Sequence, residues 1–425
     1  MKSLLDKLNA KLNAQGGFLK SVSVLVGGTV FAQGIAVLSL PILTRLYSPE
    51  DFSLFAVYTA LLMILSVASC LRFEIAIPIP HDDTEAIHLV LLALISNFII
   101  SIFIVLIIWI FHTQIIVLIK QPDFILFIWL VPIGVFFSGI YNTLQYWMTR
   151  KKQFTIVAKT RMVQSVSGTF LQIIMGAINA SALGLIVGQI IKVSAGIWRL
   201  SANFWKEASH TIQNVRMDQL KQTFKKNNKF PKYSTLESLA NSLGIQLPVI
   251  IIAAFSIGAE AGYLMLAMQV MTIPMGFIGG AVGQVYLAHA PEKYQNRELS
   301  KYTYQCIFQL MKIGILPLVL ICIIAPVVIP FVFGSVWQRT GEMMLWMLPW
   351  FITQLLISPV SMSLNIIGYQ RISLILQVLG LCIRCGGLWV LSLFATEYMF
   401  EYYAISGFVF YVIYFYVVSF CLRGK

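Results

Sequence analysis

The chain has 425 residues, of which 58% are hydrophobic and 11% charged, and its mean hydropathy is +0.82. Soluble domains carry about 45–50% apolar and about 25% charged residues, so this composition excludes a soluble globular protein and favours a fold in lipid. The excess of 30 Lys and Arg over 17 Asp and Glu gives a net charge of +13. In a membrane protein such an excess indicates basic cytoplasmic loops and contact with anionic lipid, and not nucleic-acid binding.

Twelve continuous apolar runs follow one another along the chain, each near the roughly 20 residues that a helix needs to cross a hydrocarbon core about 30 Å thick. Membrane β-strands would instead alternate polar and apolar residues in runs of about ten. The sequence therefore predicts an all-α polytopic membrane protein with twelve transmembrane helices in two six-helix lobes. In chain order the predicted spans are 20–43, 52–77, 86–110, 124–148, 157–179, 182–204, 234–256, 261–287, 303–332, 342–366, 372–394 and 400–422.

Basic residues fall almost entirely on one side of these spans. With the N-terminus in the cytoplasm, the predicted outer connections contain only Arg45, Lys120 and Arg339 among the basic residues. The positive-inside rule expects this asymmetry for twelve spans with both termini in the cytoplasm. The longest interruption divides the chain into an N-terminal lobe (1–204), a basic cytoplasmic linker (205–232) and a C-terminal lobe (233–425). The amphipathic first 20 residues lack the apolar stretch of a signal peptide, so no cleavage is expected.

Polar residues recur at helical spacing inside four of the predicted spans. Steps of three and four residues place each set on one helix face. The sets are Arg161, Ser165, Gly168 and Gln172; Gln189, Lys192, Gly196 and Arg199; Lys301, Gln305, Gln309 and Lys312; and Ser373, Gln377, Gly380, Arg384 and Gly387. Glycine and serine in such positions are also typical of plain helix packing.

Three cations, Lys192, Lys312 and Arg384, lie near the middle of their spans. An ionisable side chain at that depth costs about 2.5–3.5 kcal/mol on insertion scales, so it faces protein or water and not acyl chains. Since few acids are available to neutralise these cations, they favour a hydrated cavity with a positive wall and an anionic, phosphate-like partner.

Two acids lie inside predicted spans: Glu74, two residues after Arg72, and Glu237, near the start of the seventh span. Glu74 is expected either to pair with Arg72 or to take part in ion coupling, and Glu237 is the second candidate for ion coupling. The five histidines show no zinc-ligand spacing, and the chain contains no phosphate-binding glycine loop. We therefore expect no catalytic residue, metal or cofactor, and no enzymatic activity.

Two stretches carry a family resemblance: LSLPILTRLYSPEDFSLFAVYTALLMIL (38–65) and FPKYSTLESLANSLGIQLPVIIIAAFSIGAEAGYLMLAMQVMTIPMGFIGGAVGQVY (230–286). They resemble the beginnings of the two halves of Wzx-type O-antigen and capsule flippases, the polysaccharide transporter branch of the MOP exporter superfamily. The resemblance implies MATE-like lobes around a cavity that opens alternately to either side. It also implies a cargo, an oligosaccharide on undecaprenyl pyrophosphate, moved from the inner to the outer leaflet of the bacterial inner membrane.

With that cargo, the predicted site consists of basic residues for the pyrophosphate and glutamines for sugar hydroxyls. The pyrophosphate contacts are Lys192, Lys312 and Arg384, with Arg72 and Arg161 at the inner entrance, and the sugar contacts are Gln189, Gln305, Gln309 and Gln377. A gradient of H⁺ or Na⁺ is the expected driving force. The further partners are membrane lipids, a polysaccharide polymerase and a chain-length regulator.

Three alternatives remain open at this point. A multidrug antiporter of the same superfamily would carry organic cations and calls for a cavity rich in acids. A membrane glycosyltransferase or polysaccharide polymerase calls for a long outer loop bearing Arg, Asp or His. A lipid II flippase would by resemblance have about fourteen helices.

Overall fold

The computed structural model describes residues 18–213, 215–256 and 258–423, and within these ranges the chain forms helices and no strand. The predictions for the first residues and for the termini concern positions 1–17 and 424–425, which lie outside the described residues. The α-helices, numbered α1 to α17 in chain order, are Phe18–Leu46, Pro49–Ser69, Asp83–Ile119, Leu130–Arg150, Phe154–Ala177, Ser181–Ser194, Ile197–Gln213, Met217–Lys226, Thr235–Phe255, Glu260–Pro274, Gly280–Gln295, Leu299–Phe333, Gln338–Ile357, Ser363–Ile366, Gln370–Leu381, Gly387–Phe394 and Met399–Arg423.

Ten helices or helix pairs among the described residues are long and apolar enough to cross a membrane. The helices α4 and α5, which correspond to the predicted spans 124–148 and 157–179, are not among the ten. Their 21 and 24 residues would reach about 32 and 36 Å. Both helices are therefore long enough to cross a membrane, but their mean hydropathy is too low for them to be among the ten. Their polar side chains, Thr143 and Thr160 for example, are buried in the protein. The protein is thus a multi-pass helical membrane protein, and the count of twelve spans stays a prediction.

The predicted span 182–204 is broken into α6 and α7. The break lies at Ala195, which is extended with ψ 134°, and at Gly196, whose φ is +88°. A Cβ at Gly196 would lie 2.9 Å from Thr160 Cβ, so glycine provides both the left-handed turn and the close approach. Two other predicted spans pass through π-helical segments, Met275–Gly279 after α10 and Cys382–Gly386 after α15.

The chain divides into two compact units. Among the described residues, unit 1 comprises residues 18–47, 61–116 and 123–239, and unit 2 comprises residues 48–60, 117–122 and 240–423. The core of unit 1 is built around buried Phe73, Trp147 and Phe204, with the Trp147 and Phe204 rings 5.3 Å apart. In unit 2 a core forms around Tyr286 and Phe410. The lobe boundaries predicted from the sequence stay a prediction.

The basic segment that the sequence marks as a linker is largely helical and packs on unit 1. Leu220 of α8 is buried, and the Phe224 ring lies 5.6 Å from the ring of Phe73. Lys226 Nζ donates to Glu85 Oε2 at 2.8 Å. This segment is therefore part of the fold of unit 1.

Candidate functional site

The helices α5 and α6 interlock through small residues spaced four apart. These are Gly168 and Gly176 on α5, with Gln172 between them, and Gly184 and Gly188 on α6, followed four residues later by Lys192. A Cβ at Gly168 would lie 2.6 Å from Lys192 Cβ and 3.0 Å from the carbonyl oxygen of Gly188. Gln172 Nε2 donates across the same contact to the Leu185 carbonyl at 3.0 Å. The small residues of these two polar stripes thus serve close helix packing, as they often do in membranes.

The side chain of Lys192 begins inside this contact and is half-buried. Its ammonium forms no hydrogen bond or ion pair with any other residue that the structure describes. Gln189, on the same helix, is also half-buried, and its amide has no partner in the described part of the chain. A membrane cation with no carboxylate beside it is available to water or to an anionic ligand.

Arg161 connects α5 to α1. Its Nη1 donates to Thr29 Oγ1 at 2.9 Å, and Ser165 Oγ donates to the Ala32 carbonyl at 2.6 Å. No ion pair to Arg161 forms within the described ranges, so its charge is solvated by a hydroxyl and not cancelled.

Arg72 and Glu74 pair with each other where α2 ends. The chain turns through Leu71 and Arg72, whose φ values of +50° and +61° lie in the left-handed region. Arg72 Nη1 lies 3.4 Å from Glu74 Oε1. Glu74 is 5% exposed, and its Oε2 has no hydrogen-bond partner among the described residues. Burial raises the pKa of the Glu74 carboxyl, and the charge of Arg72 opposes this only in part.

An exposed face of α12 carries Gln305, Gln309 and Lys312. Lys312 Nζ lies 4.5 Å from the centroid of the Phe308 ring, a cation–π contact worth about 0.5–1 kcal/mol at exposed sites. Within the described ranges no carboxylate pairs with Lys312. The face therefore presents one cation and two amides together.

Arg384 lies in the interior of unit 2 and is 4% exposed. Its Nη1 donates to the Gly244 carbonyl at 3.4 Å, and its guanidinium carbon lies 4.6 Å from the Phe410 ring centroid. Gln377, on the preceding helix α15, is half-buried. In this conformation the guanidinium of Arg384 is not accessible to a ligand, so its predicted contact with substrate stays a prediction.

Glu237 is exposed in the first turn of α9 and pairs with no basic residue in the described part of the chain. Among the described residues, no group of His, Cys, Asp and Glu is arranged to hold a metal ion.

A charged cluster that the sequence analysis missed forms around Arg339. Its guanidinium binds Glu260 at 3.1 Å, Glu342 at 3.3 Å and Glu401 at 2.9 Å. Glu260 and Glu401 lie in the first turns of their helices, where carboxylates are stabilised by the helix dipole. A carboxylate at the start of a helix was the sequence feature that could have indicated these two residues. Glu260 and Glu401 are 79 and 62 residues away from Arg339, so the sequence did not indicate that they bind it.

The predicted cations divide between the units. Arg72, Arg161 and Lys192 belong to unit 1, whereas Lys312 and Arg384 belong to unit 2. The one carboxylate that pairs with any of these five in the described ranges is Glu74, which binds Arg72. The single hydrated cavity that the sequence suggests for them stays a prediction.

Comparison with known proteins gives a family and a fold. The sequence profile of a family described as polysaccharide biosynthesis protein matches residues 42–342, and no curated protein matches the chain significantly. The structure of the lipid II flippase MurJ in an inward closed conformation has a TM-score of 0.70 and 12% identity, over 93% of this chain and 87% of that chain. An inward-facing MATE multidrug resistance transporter of the MOP superfamily has a TM-score of 0.64 and 15% identity, over 93% and 94%.

A third similar structure is a MOP superfamily transporter from Pyrococcus furiosus, described as having a binding pocket of reverse polarity. Its TM-score is 0.56 at 14% identity, over 95% of this chain and 96% of that chain. At these identities the solved structures establish the fold, which is that of MOP superfamily transporters. Because the family profile covers more than half of the chain, the protein belongs to the polysaccharide biosynthesis protein family.

Proposed function

We propose that the protein is a flippase that moves an oligosaccharide linked to undecaprenyl pyrophosphate, an O-antigen or capsule repeat unit, from the inner to the outer leaflet of the bacterial inner membrane by alternating access. The observation that carries the proposal is the pair of mid-span cations, Lys192 and Lys312, with no carboxylate partner among the described residues. A pyrophosphate cannot cross hydrocarbon with its charge exposed, and lysine is a good phosphate ligand. Family membership and the likeness to a lipid II flippase support a lipid-linked substrate.

Each part of the substrate has its own candidate contacts. Lys192 and Lys312 would bind the pyrophosphate, and Arg72 and Arg161 would attract it at the cytoplasmic entrance. The sugars would meet amides that are half-buried or exposed, which are Gln189, Gln305, Gln309 and Gln377. The spacing predicts that Arg384 lines the same wall, but its burial in unit 2 supports a different role.

An ion gradient is the proposed source of energy. Glu74 is buried and keeps one carboxylate oxygen without a hydrogen bond in the described structure, which suits a group that binds and releases H⁺ or Na⁺. Glu237 is exposed and is the second candidate. Both termini would lie in the cytoplasm. After transport, the flipped repeat unit would pass to a polymerase and a chain-length regulator.

The charges favour this substrate over the alternatives. A carrier of organic cations needs carboxylates at mid-span, whereas the residues predicted to lie there, Lys192, Lys312 and Arg384, are basic. A glycosyltransferase or polymerase calls for a long outer loop bearing Arg, Asp or His, whereas the described connections on the predicted outer side are short.

A complementation experiment tests the proposal. The gene is expressed in a bacterium that lacks its flippase, and surface polysaccharide is measured at matched membrane levels of protein. Lys192→Ala and Lys312→Ala should each reduce the polysaccharide severalfold, and Lys312→Arg should retain most of it because the charge remains. Lys225→Ala is the matched control, since Lys225 is an exposed lysine of α8 outside the spans. Full surface polysaccharide with both mid-span alanines together would refute the proposed anion contacts.

A further inference from the structure

The helix α9 contains a proline, Pro248, in its interior. Proline has no N–H, so the carbonyl four residues earlier, that of Gly244, loses its helical donor. The next carbonyl, that of Ile245, lies in the same turn. A carbonyl left without a donor inside a membrane protein is costly, so the Gly244 carbonyl needs a donor from elsewhere in the fold, and the Ile245 carbonyl can accept a further one.

Two buried side chains from other elements supply those donors. Arg384, in the π-helical segment Cys382–Gly386, donates from Nη1 to the Gly244 carbonyl at 3.4 Å. Tyr403 of α17 donates its hydroxyl to the Ile245 carbonyl at 3.4 Å. Arg384 is 4% exposed and Tyr403 is fully buried. The open Gly244 carbonyl and the neighbouring Ile245 carbonyl therefore each accept a hydrogen bond from outside the helix, one from a guanidinium and one from a phenol.

Aromatic rings hold the guanidinium in place. The guanidinium carbon of Arg384 lies 4.6, 5.4 and 5.9 Å from the ring centroids of Phe410, Trp350 and Tyr411. No ion pair to Arg384 forms among the described residues, and its Nε and Nη2 have no hydrogen-bond partner there, so the rings and the Gly244 carbonyl are the contacts that offset its charge. Trp350 also packs against Tyr403, with ring centroids 5.0 Å apart, so the same indole contacts both Arg384 and Tyr403.

We propose that Arg384 is a positioning residue that holds the turn of α9 opened by Pro248, with Tyr403 as its partner, and that it does not bind the substrate anion. Its effect on transport rests on the proposed flippase function, because a fixed turn in α9 would limit which conformations the unit adopts. Its effect on the fold does not depend on that function. The substitution Pro248→Ala restores an N–H to the Gly244 carbonyl, and it should make Arg384 less necessary.

A double-mutant cycle tests this inference on the purified full-length protein in detergent. The thermal unfolding midpoint is measured for the wild type, Arg384→Met, Pro248→Ala and the double variant. Positioning predicts that Arg384→Met lowers the midpoint clearly in the proline background and much less in the alanine background. An equal loss in both backgrounds would overturn the proposal. Should Arg384→Met fail to accumulate, Arg384→Lys replaces it in the cycle, because it keeps the charge and removes the Nη1 donor to the Gly244 carbonyl.

A binding measurement separates positioning from anion contact. Farnesyl pyrophosphate serves as the probe, with farnesol as the uncharged control. Arg384→Met should leave the affinity for farnesyl pyrophosphate within a factor of two or so of the wild type, while surface polysaccharide in cells falls severalfold and recovers in the double variant. A large loss of affinity for the probe with no recovery on adding Pro248→Ala would assign Arg384 to the anion site instead. If the wild type neither binds the probe nor supports polysaccharide export, the flippase proposal fails, and the thermal cycle still decides the role of Arg384.

Discussion

Replacing Gly168 by alanine tests whether the placement of Lys192 depends on the α5–α6 contact. The added Cβ would lie 2.6 Å from Lys192 Cβ, 3.0 Å from the Gly188 carbonyl oxygen and 3.2 Å from Lys192 Cα. None of these atoms can rotate away, because each is fixed by the backbone, so the two helices must separate. Overpacking of this kind costs about 1–3 kcal/mol.

Two smaller effects act on the same variant. Separation would stretch the hydrogen bond from Gln172 to the Leu185 carbonyl, now 3.0 Å, and interhelical hydrogen bonds in membranes contribute about 0.6 kcal/mol on average. In the opposite direction, alanine is about 0.5–1 kcal/mol better than glycine inside a helix. The net expectation is a destabilisation of about 1–3 kcal/mol, together with reduced surface polysaccharide because Lys192 is displaced.

The assay is unfolding of the purified protein in mixed micelles, followed by circular dichroism. Gly34→Ala is the matched control, since it also lies in a helix of unit 1 but a Cβ there would meet no atom within 4 Å. The control should be neutral or slightly stabilising. If Gly168→Ala were as stable as Gly34→Ala, the inference that this contact positions Lys192 would be wrong.

Three further predictions follow from other parts of the structure. Because burial raises the pKa of Glu74, ionisation of its carboxyl destabilises the folded state. The thermal stability should therefore fall as the pH rises from the ordinary pKa of 4.5 through the raised pKa of the folded state. In Glu74→Gln, the melting temperature should change less with pH over this range. Gly139→Ala should destabilise the protein by about 2–4 kcal/mol, because the new Cβ would overlap the amide of fully buried Asn97. Adding Asn97→Ala to this variant should restore most of the lost stability in thermal unfolding. Arg339→Met should cost about 1–3 kcal/mol in the same assay, since it leaves three carboxylates close together without their cation, and Arg339→Lys should recover part of it.

Composition and hydropathy were sufficient to predict the fold class, since no soluble protein of this size could cover so much apolar surface. The interruptions were not predictable in the same way. A break at Gly196 or a π-helical turn at Cys382–Gly386 leaves the mean hydropathy of a span unchanged. Such features depend on close approaches, like that of Gly196 to Thr160, which exist only once the helices are packed.

Helical spacing identifies which residues share a face but not what packs against that face. Lys312 and Arg384 occupy equivalent places in their stripes, yet one is exposed and the other lies among aromatic rings. Likewise, the cluster around Arg339 joins groups that are far apart in the chain. The helical periodicity therefore predicts which cations are candidates. It does not distinguish cations that contact a ligand from cations that stabilise the fold.

The membership of residues 48–60 in unit 2 bears on how a protein of this kind can be divided. Phe52 packs edge-on against the fully buried Trp337, with ring centroids 4.9 Å apart, and the Pro49 carbonyl fits where Gly262 has no side chain. A gene cut at its midpoint would give a C-terminal fragment with this indole uncovered, prone to aggregate unless the other fragment is co-expressed.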